Sequence, residues 1–216
     1  MRRALIALAI LGAFCVCGST AMAGTVTVAY NNGTTQTTTA LKSFTTTGAD
    51  MDKMAVTVVF ADGSSTTESW ADIDSDSGGV SGTDWSLRED GNTFGGTWTL
   101  TNSATDSDKY ISTVYIDAGT GDAVFDIDHT SSTTGSANGW TFQETGSSSF
   151  NVTATYYDIV ALTGESPVGD LYRRLSIDFT NTDFGASSGA TYKFIADTDN
   201  LSLGGAMVAV PLPPSA

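Results

Sequence analysis

The sequence predicts an all-β fold, an antiparallel β-sandwich of jelly-roll type. From residue 24 onward no segment keeps an apolar period of 3.6 residues over three turns, whereas short runs with a period of 2 recur. Gly, Asn, Asp and Ser bound these runs, which is typical of sandwiches and barrels. The length of 216 residues also fits one unit, because all-β domains commonly run to about 200–250 residues.

The predicted strands follow one another along the whole body of the chain. In order they are residues 25–30, 40–46, 54–60, 66–71, 84–88, 97–101, 110–116, 123–127, 140–143, 150–162, 171–179, 191–196 and 206–210. Asn-Gly or Asp-Gly pairs at 32–33, 62–63, 90–91 and 138–139 mark breaks between them, because these residues tolerate positive φ in tight turns. We find no internal linker and predict one domain over residues 24–204.

Two of these segments indicate which face of the sheet each side chain occupies. Residues 54–60 alternate between an apolar and a mixed face, as expected for a half-buried strand. Residues 171–179 alternate as well, with an apolar face made of Leu171, Leu175, Ile177 and Phe179. Arg173 falls on that same face, so we expect its stem to pack at the margin of the sheet and its guanidinium to reach water.

Composition excludes several classes of function. The chain has 9 Lys and Arg against 24 Asp and Glu, a net charge of -15, so it lacks the positive face that nucleic-acid binding requires. A single His excludes multi-histidine zinc and iron sites and leaves a catalytic triad only one possible base.

The first 23 residues have the pattern of a secretory signal peptide. Arg2 and Arg3 precede an apolar run over residues 4–16, which is too short to span a bilayer, and residues 21–23 form a small-x-small cleavage site. Cleavage there would remove Cys15 and Cys17, the two cysteines of the chain. The mature chain is therefore expected to be exported and to fold without a disulfide.

The end and the body of the chain resemble one family of bacterial exported proteins. Residues 205–216 form a Pro-rich tail, and VPLP at 210–213 resembles the signature that opens PEP-CTERM sorting regions. The hydrophobic helix and basic cluster that an exosortase recognises in that family would follow it, and the sequence ends at Ala216 before either part.

The body resembles the β domain that precedes such tails, and the resemblance spans residues 48–201. It is carried by GADMDKMAVTVVFADG (48–63), Trp70, GVSG (79–82), WSL (85–87), DGNTF (90–94), WTLTN (98–102), IDAGTGDAVFD (116–126), GSANGW (135–140), DLY (170–172) and FIADTDNL (194–201). The resemblance implies export, sorting by an exosortase to a surface or extracellular matrix, and no enzymatic activity.

Alternating carboxylates at Asp72, Asp74 and Asp76 are the first candidate for a metal site. With Gly78 close behind them, a tight loop could gather several oxygen ligands around one Ca²⁺. The Gly comes one place later than in an EF-hand and no closing Glu follows, so an EF-hand is not predicted. A solvated acidic loop remains the alternative, as it does for the oxygen-rich turns at 197–200 and at Asp117 with Asp122.

Aromatic and acidic residues raise two further hypotheses. Trp140 follows a turn signal and is the Trp expected to be exposed, so it is our candidate for stacking on a sugar ring; Trp70, Trp85 and Trp98 are expected in the core. Asp126 and Asp128 beside His129 could serve as an acid–base pair in glycoside hydrolysis, although chance pairs are expected in so acidic a chain.

These observations predict a non-enzymatic exported surface or extracellular-matrix protein of the PEP-CTERM-associated type, with no catalytic residue. The alternative is a Ca²⁺-dependent carbohydrate-binding module, in which Ca²⁺ would be the cofactor and an extracellular polysaccharide the partner.

Overall fold

The computed structural model describes residues 24–106, 108–128, 130, 132–136, 139–146, 148–180, 184–185, 189–201 and 208–209. The predicted signal peptide, most of the predicted tail, and His129 lie outside these residues. The strands are β1 Val26–Asn31, β2 Gln36–Thr38, β3 Leu41–Ser43, β4 Ala55–Phe60, β5 Ser65–Ser69, β6 Ala71–Asp72, β7 Ser77–Gly82, β8 Trp85–Asp90, β9 Thr97–Asn102, β10 Ile111–Asp117, β11 Ala123–Asp126, β12 Gln143–Glu144, β13 Val152–Leu162, β14 Leu171–Phe179, β15 Ala190–Ile195, β16 Thr198–Leu201 and β17 Val208–Ala209.

The strands form two sheets, which confirms the predicted all-β sandwich. One sheet has the order β12-β15-β9-β8-β7-β6 and is antiparallel throughout. The other follows the order β17-β2-β13-β14-β10-β4-β5, with β1 beside β13 and with β11, β16 and β3 extending it beside β14. Most of its pairs are antiparallel too, but β1 and β2 both run parallel to β13.

The main hydrophobic core lies between the sheets. Trp70, Trp85 and Trp98 are at most 1% exposed, as the sequence predicts, and full burial of a large apolar side chain contributes about 1.5–3 kcal/mol. Each indole N–H also has a hydrogen-bond partner: Trp70 donates to the Gly48 carbonyl at 2.7 Å, Trp98 to the Ala196 carbonyl at 3.0 Å and Trp85 to Thr66 Oγ1 at 2.7 Å. The Trp side chains are therefore core anchors whose polar atoms are satisfied.

β13 and β14 change the face that they turn to the core near one end of the sandwich. Asp158 has a φ of 60°, and beyond it Ile159 joins the main core whereas Val160 packs on the opposite face. On β14, Leu175 lies in the main core but Leu171 lies in the second cluster. This second cluster consists of Val124, Val160, Leu171 and Leu201, with Leu41 against it.

This change of face corrects the prediction for residues 171–179. The strand has the predicted bounds, but Leu171 does not share the core face of Leu175. Arg173 stands at the switch and its Nε and Nη2 donate to the two Asp117 oxygens at 2.8 and 2.9 Å. The guanidinium therefore has a partly buried carboxylate as its partner, not only water.

Three strands fall where the sequence predicted loops or nothing. β2 and β7 are short of apolar side chains, since they read QTT and SGGVSG. β16 replaces the predicted turn at 197–200 and is fully buried despite its sequence TDNL. Strands are recognised in a sequence by alternating apolar residues or by a continuous apolar run, and a buried strand made of polar residues shows neither pattern.

No helix in the described part of the chain is long and apolar enough to cross a membrane.

Candidate functional site

A groove with aromatic walls opens where β1, β14 and the segment before β12 meet. Its volume is about 450 Å³. We call it the aromatic groove, and its lining residues are Tyr30, Ile127, Asp128, Trp140, Thr141, Gln143, Gly169 and Tyr172. Apolar rings and hydrogen-bonding side chains thus face the same space, which is the usual make-up of a site for a small organic ligand.

Tyr30 presents the most accessible ring of the groove. It is 50% exposed, although its ring stacks on the buried Tyr156 with centroids 6.0 Å apart and lies 5.9 Å from Tyr172. Its hydroxyl lies 3.2 Å from Thr141 Oγ1, which ties β1 to the segment before β12. The ring is therefore held in place by packing and by a hydrogen bond while one side stays open to solvent.

Trp140, the residue predicted to stack on a sugar, lines the same groove. It is partly exposed, and its ring lies 5.8 Å from that of Phe94. The structure thus brings Trp140 together with Tyr30, which the sequence did not single out. A tyrosine on a strand edge has no sequence pattern that separates it from a core tyrosine.

Next to the groove lie four buried aspartates that come from three segments of the chain. We call Asp126, Asp170, Asp197 and Asp199 the acidic cluster; each is at most 1% exposed. Main-chain pairing brings these segments together, because Asp126 N donates to the Asp197 carbonyl at 3.1 Å. Ile127 N donates to the Asp170 carbonyl at 2.9 Å.

Hydroxyl groups supply most of the side-chain hydrogen bonds of the acidic cluster. Ser136 Oγ lies 2.6 Å from Asp126 Oδ2 and 2.6 Å from Asp199 Oδ2. Thr133 Oγ1 donates to Asp170 Oδ1 at 2.8 Å, and Thr93 Oγ1 donates to Asp197 Oδ1 at 2.9 Å. None of the ion pairs found among the described residues includes a member of the cluster.

Burial makes the carboxyl groups of Asp126, Asp197 and Asp199 hard to ionise. It raises the pKa of Asp126 to about 6, that of Asp199 to about 7 and that of Asp197 to about 8. The neighbouring negative charges add to the increase in each case, whereas the hydroxyl donors oppose it. The fold therefore holds a group of buried acids to which no described residue gives a basic partner.

Glu89 is a further buried acid, near the C-terminal end of β8. It is 0% exposed, and neither carboxylate oxygen has a hydrogen-bond partner among the described residues. Burial, then the charges of Asp90 and Asp197, raise its pKa to about 8. Gly48 and Gly96 enclose the carboxyl so closely that a Cβ on Gly48 would lie 2.8 Å from Oε2.

The predicted metal loop lies apart from the acidic cluster. Asp72, Asp74 and Asp76 are all exposed, at the hairpin between β6 and β7. Asp74 Oδ1 accepts hydrogen bonds from the backbone N–H of Asp76 at 3.1 Å and of Ser77 at 3.0 Å, which closes an Asx turn. Within the described residues no set of three or more His, Cys, Asp or Glu side chains is arranged as a ready-made metal shell, so Ca²⁺ at this loop stays a prediction.

The other acidic candidates separate in the fold. Asp126 is buried in the acidic cluster, whereas Asp128 lines the groove, so the two do not face one substrate. Asp117 accepts the bond from Arg173, and Asp122 is exposed in a left-handed turn with a φ of 52°. Asp170 was not proposed as a site residue from the sequence. It directly precedes β14, and an acidic residue beside an apolar run is the one sequence feature that could have indicated it.

No protein-family model, no curated protein and no solved structure matches this chain. The features that bear on function are therefore the aromatic groove, the acidic cluster and the resemblance of the sequence to PEP-CTERM-type exported proteins.

Proposed function

We propose that this chain is an exported, non-enzymatic protein of a bacterial surface or extracellular matrix, and that its aromatic groove binds polysaccharide. The leader pattern and the PEP-CTERM-type resemblance support export and, where a full sorting region follows, handling by an exosortase. The observation that carries the binding proposal is the pair of accessible rings, Tyr30 and Trp140, in one groove with hydrogen-bonding groups.

The chemistry of the groove suits a sugar chain. The face of a pyranose ring is apolar enough to lie on an aromatic ring, while its hydroxyls need donors and acceptors at the rim. Asp128, Thr141 and Gln143 supply such groups in the groove. With a net charge of -15, the protein repels polyanions at long range, so a neutral polysaccharide is the ligand that we propose.

The placement of the acids supports a binding role over hydrolysis. Glycosidases use two carboxyl groups that flank the same bond, about 5–10 Å apart. Asp128 is the one acidic residue among the described residues that line the groove. Asp126 is 1% exposed and is occupied by Ser136, which leaves it without access to a glycan.

Affinity electrophoresis of the full protein through gels that contain single neutral polysaccharides tests this proposal. We expect retardation of the wild type, and at least about a tenfold loss of affinity, or ~1.4 kcal/mol, in Tyr30→Ala and in Trp140→Ala. Tyr115→Ala is the matched control, because Tyr115 is 48% exposed on β10 and lies outside the groove.

Two results would overturn the proposal: no neutral polysaccharide retards the wild type, or Tyr115→Ala weakens retention as much as the groove variants do. Gels run with Ca²⁺ and with a chelator separate the alternative function. A Ca²⁺-dependent carbohydrate-binding module loses retention in the chelator, whereas binding by the aromatic groove alone does not.

A further inference from the structure

The acidic cluster gathers four carboxyl groups for which the described residues provide no basic partner. Its four carboxyl groups have hydroxyl and backbone partners but no Lys or Arg partner. Arg88, Arg173 and Arg174 engage Asp90, Asp117 and Asp158 elsewhere in the fold. Unneutralised carboxylates in a protein interior are strongly unfavourable, so buried charges are normally paired or bound to a metal.

The hydrogen bonds of Ser136 show where a neutralising ion would act. Its hydroxyl has one hydrogen, yet its oxygen lies 2.6 Å from Asp126 Oδ2 and equally close to Asp199 Oδ2. It can donate to only one of these oxygens. The other short oxygen–oxygen contact therefore has no hydrogen from Ser136.

Two carboxylate oxygens of the cluster have no hydrogen-bond partner among the residues that the structure describes. Asp199 Oδ1 and Asp197 Oδ2 accept no hydrogen bond from any described residue, although Asp199 is 0% and Asp197 is 1% exposed. Asp199 Oδ1 belongs to the same carboxylate that contacts Ser136, so this orphaned acceptor lies within the cluster. A buried acceptor without a donor destabilises a fold, and more so when it is charged.

We propose that the acidic cluster binds one Ca²⁺ ion through the carboxylates of Asp126 and Asp199, with the Ser136 hydroxyl as a neutral ligand. Ca²⁺ takes oxygen ligands at about 2.3–2.6 Å. Because Asp126 Oδ2 and Asp199 Oδ2 are each 2.6 Å from Ser136 Oγ, they are at most about 5 Å apart, which one ion with these Ca–O distances can span. The site requires no other ligand side chain and is independent of the loop at Asp72–Asp76.

Residues of the aromatic groove are close in sequence to two members of the acidic cluster. Asp128 and Gly169 line the aromatic groove, two residues from Asp126 and next to Asp170 respectively. Because Ca²⁺ accepts about 6–8 oxygens, the proposal requires water molecules to complete the coordination. With two carboxylates in the shell we expect a dissociation constant of about 10⁻⁴–10⁻³ M, the range of extracellular Ca²⁺ modules.

Calorimetric titration of the chelator-treated full protein with CaCl₂, with no sugar present, tests the site apart from polysaccharide binding. We expect one ion per chain in the wild type and a rise in Tm of about 2–5 °C when Ca²⁺ is in excess. Asp199→Asn keeps the shape of the side chain but removes a ligand charge, and we expect it to weaken Ca²⁺ binding at least about tenfold.

The stability of the variant in chelator distinguishes a lost ligand from a damaged fold. Without Ca²⁺, Asp199→Asn should melt no lower than the wild type, because it removes a buried charge that no described residue neutralises. Ser136→Ala is a second variant that keeps both carboxylates, and it should also bind Ca²⁺ more weakly. Asp74→Asn, in the exposed loop, is the matched control and should bind as the wild type does.

Three outcomes overturn the inference. The wild type does not bind Ca²⁺ up to about 10 mM, tenfold above the weakest expected constant; Asp199→Asn and Ser136→Ala both bind Ca²⁺ as the wild type does; or Asp74→Asn abolishes binding, which would place the ion in the loop. Failure of polysaccharide binding leaves all three measurements unaffected.

Discussion

Glu89 allows the effect of one buried carboxyl group on the stability of the sandwich to be measured. We consider Glu89→Gln, which keeps the size of the side chain and removes its ability to ionise. The charges that act on Glu89 are those of Asp90 on its own strand and Asp197 ahead of β16, both negative. Its pKa rises from 4.5 to about 8 on folding, chiefly through burial, so the folded state keeps a proton that the unfolded chain has released.

The sign of the effect follows from this difference in proton binding. Below about pH 4.5 both states hold the proton and the contribution of Glu89 is fully present; it is lost as the pH rises toward 8. One such group changes the free energy of unfolding by about 1.4 kcal/mol per pH unit, which sets a ceiling of about 4 kcal/mol between about pH 5 and pH 8. Because side chains relax and water enters around a buried charge, we expect a loss of about 1–3 kcal/mol.

Urea unfolding at a series of pH values, in chelator, measures this loss. Between about pH 5 and pH 8 the free energy of unfolding should fall by about 1–3 kcal/mol more in the wild type than in Glu89→Gln. Glu68→Gln is the matched control, because Glu68 is exposed on β5, and its pH profile should follow that of the wild type. Parallel profiles for the wild type and Glu89→Gln, within about 0.5 kcal/mol, would refute the reasoning.

Two further substitutions test contacts near the site. Gly139→Ala places a Cβ against the carboxyl of Asp126, so urea unfolding should show a destabilisation of about 1–3 kcal/mol; a loss below about 0.5 kcal/mol would mean that the segment moves freely. Asp117→Asn breaks the two-bond contact with the partly buried Arg173, so the free energy of unfolding should fall by about 1–3 kcal/mol. Asp90→Asn removes an exposed ion pair with Arg88, so the free energy of unfolding should fall by at most about 1 kcal/mol. Equal losses in the two Asn variants would contradict the role given to burial.

Much of the fold could be predicted because strict alternation of apolar and polar residues indicates a half-buried β-strand. Segment 54–60 shows it clearly, and β4 is found at Ala55–Phe60 with alternate residues buried. The change of face at Asp158 could not be predicted, since a single residue with positive φ shifts the pattern by one place without any mark in composition. For the same reason the alternation wrongly predicted that Leu171 shares the face of Leu175.

The candidate site was predicted only in part. Trp140 was singled out as an exposed aromatic, and it lines the groove. Asp126 and the 197–200 segment were singled out too, but in separate hypotheses, because nothing in the sequence indicates that β11 pairs with β16. Long-range pairing, such as Val124 with Asp199, decides which carboxyl groups meet, and a single sequence does not report it.

The parallel pairing of β1 with β13 also constrains the order in which the chain can fold. Thr25 N donates to Asn151 Oδ1 across 126 residues, and β1 lies in register with the first half of β13. Closing so long a loop carries an entropy penalty that no local contact offsets beforehand, and such topologies fold in about milliseconds to seconds. β1 can therefore pair only after β13 has been synthesised, so the main chain of β1 stays without its partner strand while residues 32–151 are added.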